Sequence, residues 1–110
     1  MIQKHPELEI LCLDHGGMID SICKTYFENM ECQKLQFLNI SWGKISGTSI
    51  EYLARVLTMN QNLQKLAMQH NRLANADLTE FSQAISAHKS LQYLDISANK
   101  LANIEFAKLF

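Results

Sequence analysis

Neither sign of charge is in excess: ten Lys and Arg stand against eleven Asp and Glu in 110 residues, a formal net charge of -1. Such a chain has no general attraction for polyanions, so unspecific binding to nucleic acid or to an acidic membrane is not expected. Long hydrophobic runs are also missing, with nothing approaching the roughly 18 apolar residues of a membrane span. The first ten residues, MIQKHPELEI, lack the apolar core of a signal peptide. Cysteine is scarce and odd in number: Cys12, Cys23 and Cys32 show no C-x-x-C spacing. Neither a disulfide framework nor a zinc pattern is suggested, and three free thiols in a reducing, cytoplasmic compartment are expected.

What is present is a hydrophobic content of 47%, enough for one domain with a core of its own. The apolar residues are also periodic. LEILCLDHGGM (8–18), LQFLNISWGKI (35–45), LQKLAMQHNRL (63–73) and LQYLDISANKL (91–101) share one apolar skeleton. Their starts at 8, 35, 63 and 91 are 27, 28 and 28 residues apart, the kind of internal period that signals stacked units. In the second half of each unit the spacing changes to three and four, which is a helix stripe. It runs through Cys23, Tyr26 and Met30, then Ile50, Leu53 and Leu57, then Leu78, Phe81 and Ile85, and begins again at Phe106 and Leu109. Thr48-x-x-Glu51 and Asp77-x-x-Glu80 have the spacing of capping boxes at the starts of two of these helices. Each unit is therefore expected to be a short strand, a turn and a helix, the last one incomplete.

The L-x-x-L-x-L-x-x-N-x-L pattern with a helix in a 28-residue period resembles the leucine-rich repeat family, and in particular its ribonuclease-inhibitor-like class. The resemblance covers nearly the whole chain. It implies an α/β solenoid, an arc with an inner parallel sheet and outer helices, in which residues 1–110 form a single domain or a fragment of one. In that family the Asn of the pattern bonds backbone groups along the turns, a role the resemblance gives to Asn71 and Asn99. Gly16 and Gly43 stand in the same column without an amide, which predicts a looser N-terminal half. No capping unit is visible at either end: Phe106, Leu109 and Phe110 close the chain on an apolar face. End-to-end self-association of the 110 residues is the expected consequence.

The chemistry-bearing residues do not assemble a catalytic pattern. Cys12, Asp14 and His15 lie within four residues, but strand alternation sends Cys12 and Asp14 to one face and leaves His15 at the turn. No matching ligand stands in the next unit, where Asn39, Ser41 and Trp42 occupy those columns. No catalytic, metal or cofactor site is expected, and the chain is not expected to be an enzyme. Lys44, Arg72 and Lys100 align as a row of cations at the turns.

The strand positions between the buried leucines are more informative, because alternation turns them to the opposite face of the sheet. Read across the units, these columns are Ile10, Phe37, Lys65 and Tyr93; Cys12, Asn39, Ala67 and Asp95; and Asp14, Ser41, Gln69 and Ser97. The first is rich in apolar and aromatic residues, and Trp42, the single Trp, lies just beyond the third. A contiguous row of that kind predicts a binding patch. The candidate protein-binding residues are Ile10, Phe37, Trp42, Lys65, Tyr93 and Asp95. The family resemblance implies a protein partner held on the concave face, and a sensor or effector role that includes secreted bacterial effectors acting in a host cytosol. Two further readings stand beside it: a substrate-recruiting segment of a larger protein such as a ubiquitin ligase, and a self-assembling structural fragment.

Overall fold

The computed structural model describes residues 6–15, 20–28, 30–74 and 76–100. Among them the chain alternates strand and helix. Strand β1 (Ile10–Cys12) precedes α1 (Asp20–Phe27), β2 (Phe37–Asn39) precedes α2 (Ile50–Met59), β3 (Lys65–Ala67) precedes α3 (Thr79–Ala87), and β4 (Tyr93–Asp95) follows. The strands form one parallel sheet in the order β1-β2-β3-β4. Its register pairs Leu11, Leu38, Leu66 and Leu94 with one another in turn, so residues 27 or 28 apart in the chain become neighbours. No helix among the described residues is long and apolar enough to cross a membrane.

The leucine skeleton explains why the strands sit where they do. Leu35, Leu38, Ile40 and Ile45 are fully buried, as are Leu63, Leu66, Met68 and Leu73 one register step on. Each such side chain removed from water contributes about 1.5–3 kcal/mol. The helices close over the same core with Ile50, Leu53, Val56 and Leu57 of α2 and Phe81 of α3. Strands only three residues long suffice because backbone pairing continues past them. Leu13 N, Ile40 N and Met68 N donate to the oxygens of Asn39, Ala67 and Asp95 at 2.8, 2.8 and 2.9 Å.

Two expectations about the helices change. In α1 the inward residues are Cys23 and Phe27, with Met30 beyond the helix, while Tyr26 is exposed. The spacing of three and four holds, but the helix is rotated so that the wholly apolar Phe is inside and the Tyr hydroxyl stays wet. The start of α2 is not capped by Thr48. A 3₁₀ turn at Gly47–Ser49 moves the beginning of helical backbone forward, and Ser46 becomes its cap, accepting from Thr48 N at 3.4 Å. At α3 the cap position falls on Leu78, without a side-chain bond, rather than on Asp77 as the box spacing predicts, although Asp77 Oδ1 accepts from Thr79 N at 3.0 Å. Met18, Gly16 and the final segment with Leu101, Phe106, Leu109 and Phe110 lie outside the described residues.

The asparagine column behaves as the resemblance implies, and Gly43 is drawn into it. Asn71 Oδ1 accepts from Gly43 N at 2.8 Å and Ile45 N at 3.1 Å, and its Nδ2 donates to Ile40 O and Met68 O at 3.1 and 3.0 Å. Asn99 Nδ2 donates to Met68 O and Ile96 O, both at 2.9 Å. Each amide thus reaches one register step back along the chain. A glycine in the column is tied as a donor by the asparagine one unit on.

A second polar column, unseen in the sequence, runs beneath the helices' far ends. Asn60 is fully buried; its Oδ1 accepts from Cys32 N at 2.7 Å and its Nδ2 donates to Met30 O and Val56 O at 3.0 and 2.8 Å. His88, 28 residues on, continues it. Nδ1 of His88 accepts from Ser90 N and Leu91 N at 3.2 and 3.0 Å, so Nε2 carries the hydrogen and donates to Asn60 O at 2.9 Å.

Candidate interaction surface

The sheet face opposite the helices carries the residues singled out above. Register places Ile10 beside Phe37, Phe37 beside Lys65, and Lys65 beside Tyr93. Ile10 is 61% and Tyr93 50% exposed, Lys65 is exposed and Phe37 half-buried. Four side chains at the roughly 4.8 Å strand spacing therefore form one strip. Within it, Lys65 Nζ lies 5.9 Å from the Tyr93 ring centroid, and Tyr93 Oη donates to Asp95 Oδ2 at 3.4 Å. The strip is an aromatic and aliphatic surface with one cation resting on a ring.

The neighbouring columns are less uniform. Cys12 is exposed, Asn39 and Asp95 are half-buried, and Ala67 is buried. In the third column Asp14 and Ser97 are exposed, but Ser41 is buried, which corrects the expectation that this column faces solvent throughout. The strand has ended by that point, so strict alternation no longer governs the side chains. Asp95 is tied down by Ser97, whose Oγ and N donate to Oδ1 at 2.6 and 3.0 Å. Those two bonds outweigh the opposing effect of burial and, with lesser help from Tyr93 and the nearby charge of His70, hold its carboxyl below the usual value.

Trp42 has a more definite setting than its place beside the turn suggested. His15, Trp42 and His70 all adopt positive φ, at 59°, 59° and 56°, and the register places them side by side. Bulky residues rarely occupy this left-handed region, which costs about 1–2 kcal/mol per residue. The three rings stack: Trp42 and His70 centroids are 3.7 Å apart with planes at 9°, and His15 and Trp42 are 5.3 Å apart at 17°. Each ring pair returns about 0.5–1.5 kcal/mol, the same order as the backbone cost. Trp42 nevertheless remains 47% exposed. The alignment of these three residues is visible in the sequence, but their stacking depends on the left-handed turn.

Away from this face, Asp20 at the start of α1 gathers three donors from the turn before α2. Its Oδ1 accepts from Ser46 N at 3.0 Å and Ser49 Oγ at 2.5 Å, and its Oδ2 from Ser46 Oγ at 2.6 Å. Partial burial pushes its carboxyl up, but the bonds from Ser46, Ser49 and Thr48 together outweigh this and hold it below its usual value. Nearby, burial pushes the Cys23 thiol up to about 11; a bond with Ser49 opposes the shift and the Asp20 charge adds to it. No disulfide joins the three cysteines; Cys12 is exposed and Cys23 and Cys32 are buried. Among the described residues no three His, Cys, Asp or Glu side chains gather as metal ligands would; His15 is engaged by its ring with Trp42 rather than with Cys12 or Asp14.

In comparison with known proteins, a family model described as Leucine Rich repeat matches residues 31–54, the stretch that contains β2 and the first half of α2. Searches of curated proteins and of solved structures gave no match.

Proposed function

We propose, on the premise that this chain is a leucine-rich-repeat protein, that it is a protein-interaction module holding a partner on the concave side of a short arc. In this reading the units starting near residues 8, 35, 63 and 91 are four stacked repeats of the ribonuclease-inhibitor-like class. The helices lie outside and the sheet inside, and the chain performs no chemistry of its own. Domains of this family commonly mediate protein–protein interaction, but the partner must be read from the surface rather than from the fold.

The observation that carries the reading is the strip Ile10, Phe37, Lys65 and Tyr93, set in register on the helix-free face with Ile10 and Tyr93 at least half exposed. Apolar side chains scattered singly on a surface mean nothing, whereas a contiguous row with aromatic members is what a partner's buried contacts need. Aromatic anchors provide large contact area at small entropy cost.

The test compares proteins captured by the parent chain with those captured by Phe37→Ala and Tyr93→Ala, followed by titration with the purified partner. Each substitution is expected to weaken binding about tenfold or more, equivalent to about 1.4 kcal/mol. Tm should stay nearly unchanged for Tyr93→Ala, since its ring is half in water. If both variants bind like the parent while Glu51→Ala, Arg55→Ala or Gln83→Ala on the helices abolishes binding, the contact surface is convex and the reading fails.

A further inference from the structure

At the end of the strands the chain turns toward the helices, and the turns of the second to fourth units carry exposed cations, with Asp20 reaching this edge only to bond Ser46 N and Oγ. Segments 41–46, 69–74 and 97–100 contain Lys44, His70, Arg72 and Lys100 and not one Asp or Glu. Lys44, Arg72 and Lys100 are all exposed, and among the described residues the only ion pair is Lys34 with Glu7, elsewhere on the surface. The turns run alongside one another: Arg72 N donates to Ile45 O at 2.7 Å, and Ser46 bridges Arg72 in parallel. Two residues before Lys44 and Arg72 stand Trp42 and His70, in the ring stack already described. The edge is thus a row of cations with no ion pair among the described residues, bordered by stacked rings, on a chain whose net charge is only -1.

We infer that this edge is a binding site for an acidic peptide segment, lying across the turns with its carboxylates on Lys44, Arg72 and Lys100 and its backbone or aliphatic groups against the exposed rim of the His15–Trp42–His70 stack. The dimensions suit such a ligand. Neighbouring turns follow the roughly 4.8 Å strand spacing, and an extended peptide presents same-side carboxylates every ~6.8 Å, a mismatch that long Lys and Arg side chains absorb. A nucleic-acid strand fits less well, because sequence-tolerant binding of single strands relies on bases stacking on open aromatic faces. Here the indole has an imidazole stacked against it on each side. The backbone supports the assignment: Lys44 and Lys100 sit at φ 57° and 55°, a conformation that Asn would adopt at lower cost. The cations stand there without repaying that cost through any ion pair among the described residues. This surface is separate from the Phe37–Tyr93 strip and does not depend on it.

The experiment follows Trp42 fluorescence, the single indole reporter, during titration with a short oligoglutamate peptide, with oligolysine as control. Oligoglutamate should give a saturable change and oligolysine none. The affinity should fall about tenfold between ~20 and ~150 mM salt, as screened charge pairs do. The triple variant Lys44→Asn, Arg72→Gln, Lys100→Asn, checked for parental circular dichroism, should lose about tenfold or more; the single Lys44→Asn serves if the triple variant does not fold. Phe37→Ala and Tyr93→Ala should bind the peptide like the parent, so this result stands or falls apart from the concave reading. No saturable change, binding that survives loss of the cations, or tighter binding of an oligothymidylate of equal charge would overturn the inference, the last in favour of a nucleic-acid ligand.

Discussion

Replacing Asn60 by alanine should be among the most damaging changes of a polar side chain in this protein. The amide is fully buried and bonds two backbone groups, accepting from Cys32 N at 2.7 Å and donating to Met30 O at 3.0 Å. Val56 O, its third contact, keeps a bond from the Asn60 backbone N at 3.0 Å and is not orphaned. Leaving a buried donor or acceptor without a partner costs about 1–3 kcal/mol. Two such groups give roughly 2–6 kcal/mol, a large part of the 5–15 kcal/mol that holds a typical domain together. With a urea m-value of about 1–3 kcal/mol/M, a loss near 3 kcal/mol moves the unfolding midpoint by about 1–3 M at unchanged m. Asn62→Ala is the control, because Asn62 is exposed and makes a single bond, from Nδ2 to Gln33 O at 2.6 Å; it should cost less than ~0.5 kcal/mol. Asn60→Asp should also destabilise, since it keeps the acceptor for Cys32 N but sets an oxygen against Met30 O. Equal midpoints for the two alanine variants, or a loss below ~1 kcal/mol at Asn60, would refute the idea that this buried column ties neighbouring turns together.

The depressed carboxyl of Asp20 contributes stability that is present above its unfolded value near 4 and is lost as pH falls through its lower folded value. Asp20→Asn should therefore be less stable than the parent at neutral pH, and the gap should narrow on acidification below about pH 4; a gap independent of pH would contradict the Ser46 and Ser49 bonding. In the native protein at pH 8, a thiol reagent should modify the exposed Cys12 quickly, while Cys23, with its thiol pushed up to about 11, and the buried Cys32 react only on unfolding. Rapid native modification of all three, or fewer than three thiols after denaturation, would be inconsistent with this. Gly47→Ala should cost about 1–3 kcal/mol in chemical denaturation, because a Cβ there would meet Ala76 Cβ at 2.9 Å and Ala76 Cα at 3.1 Å, neither of which can swing away. An unchanged midpoint would mean the two turns are not in contact.

Much of the architecture was legible because it rests on local spacing. The alternation at Leu38 and Ile40 and the three-and-four spacing at Ile50, Leu53 and Leu57 are statements about period, and the buried residues obey them. The 27- and 28-residue offsets likewise foretold which strands pair, and so brought Ile10, Phe37, Lys65 and Tyr93 to one strip. Even so, period alone did not choose Phe27 over Tyr26, because two adjacent aromatic residues fit the same stripe and the hydroxyl decides. Nor did the Thr48-x-x-Glu51 spacing reveal that Ser46 would be the cap.

The sequence by itself determined the order of strands and helices and most of the residues that make the core or share a face, since these follow from the 2.0 and 3.6 periods of single elements. Tertiary structure alone decided how one turn is fastened to the next. Asp20 meets Ser46 across 26 residues, Asn60 meets Cys32 across 28, and the rings of His15, Trp42 and His70 stack only because three turns take the left-handed conformation together. In each case both partners are ordinary residues in their own segments. Their interaction is set by the ångström-scale placement of neighbouring backbones, a quantity that a pattern of apolar positions does not encode.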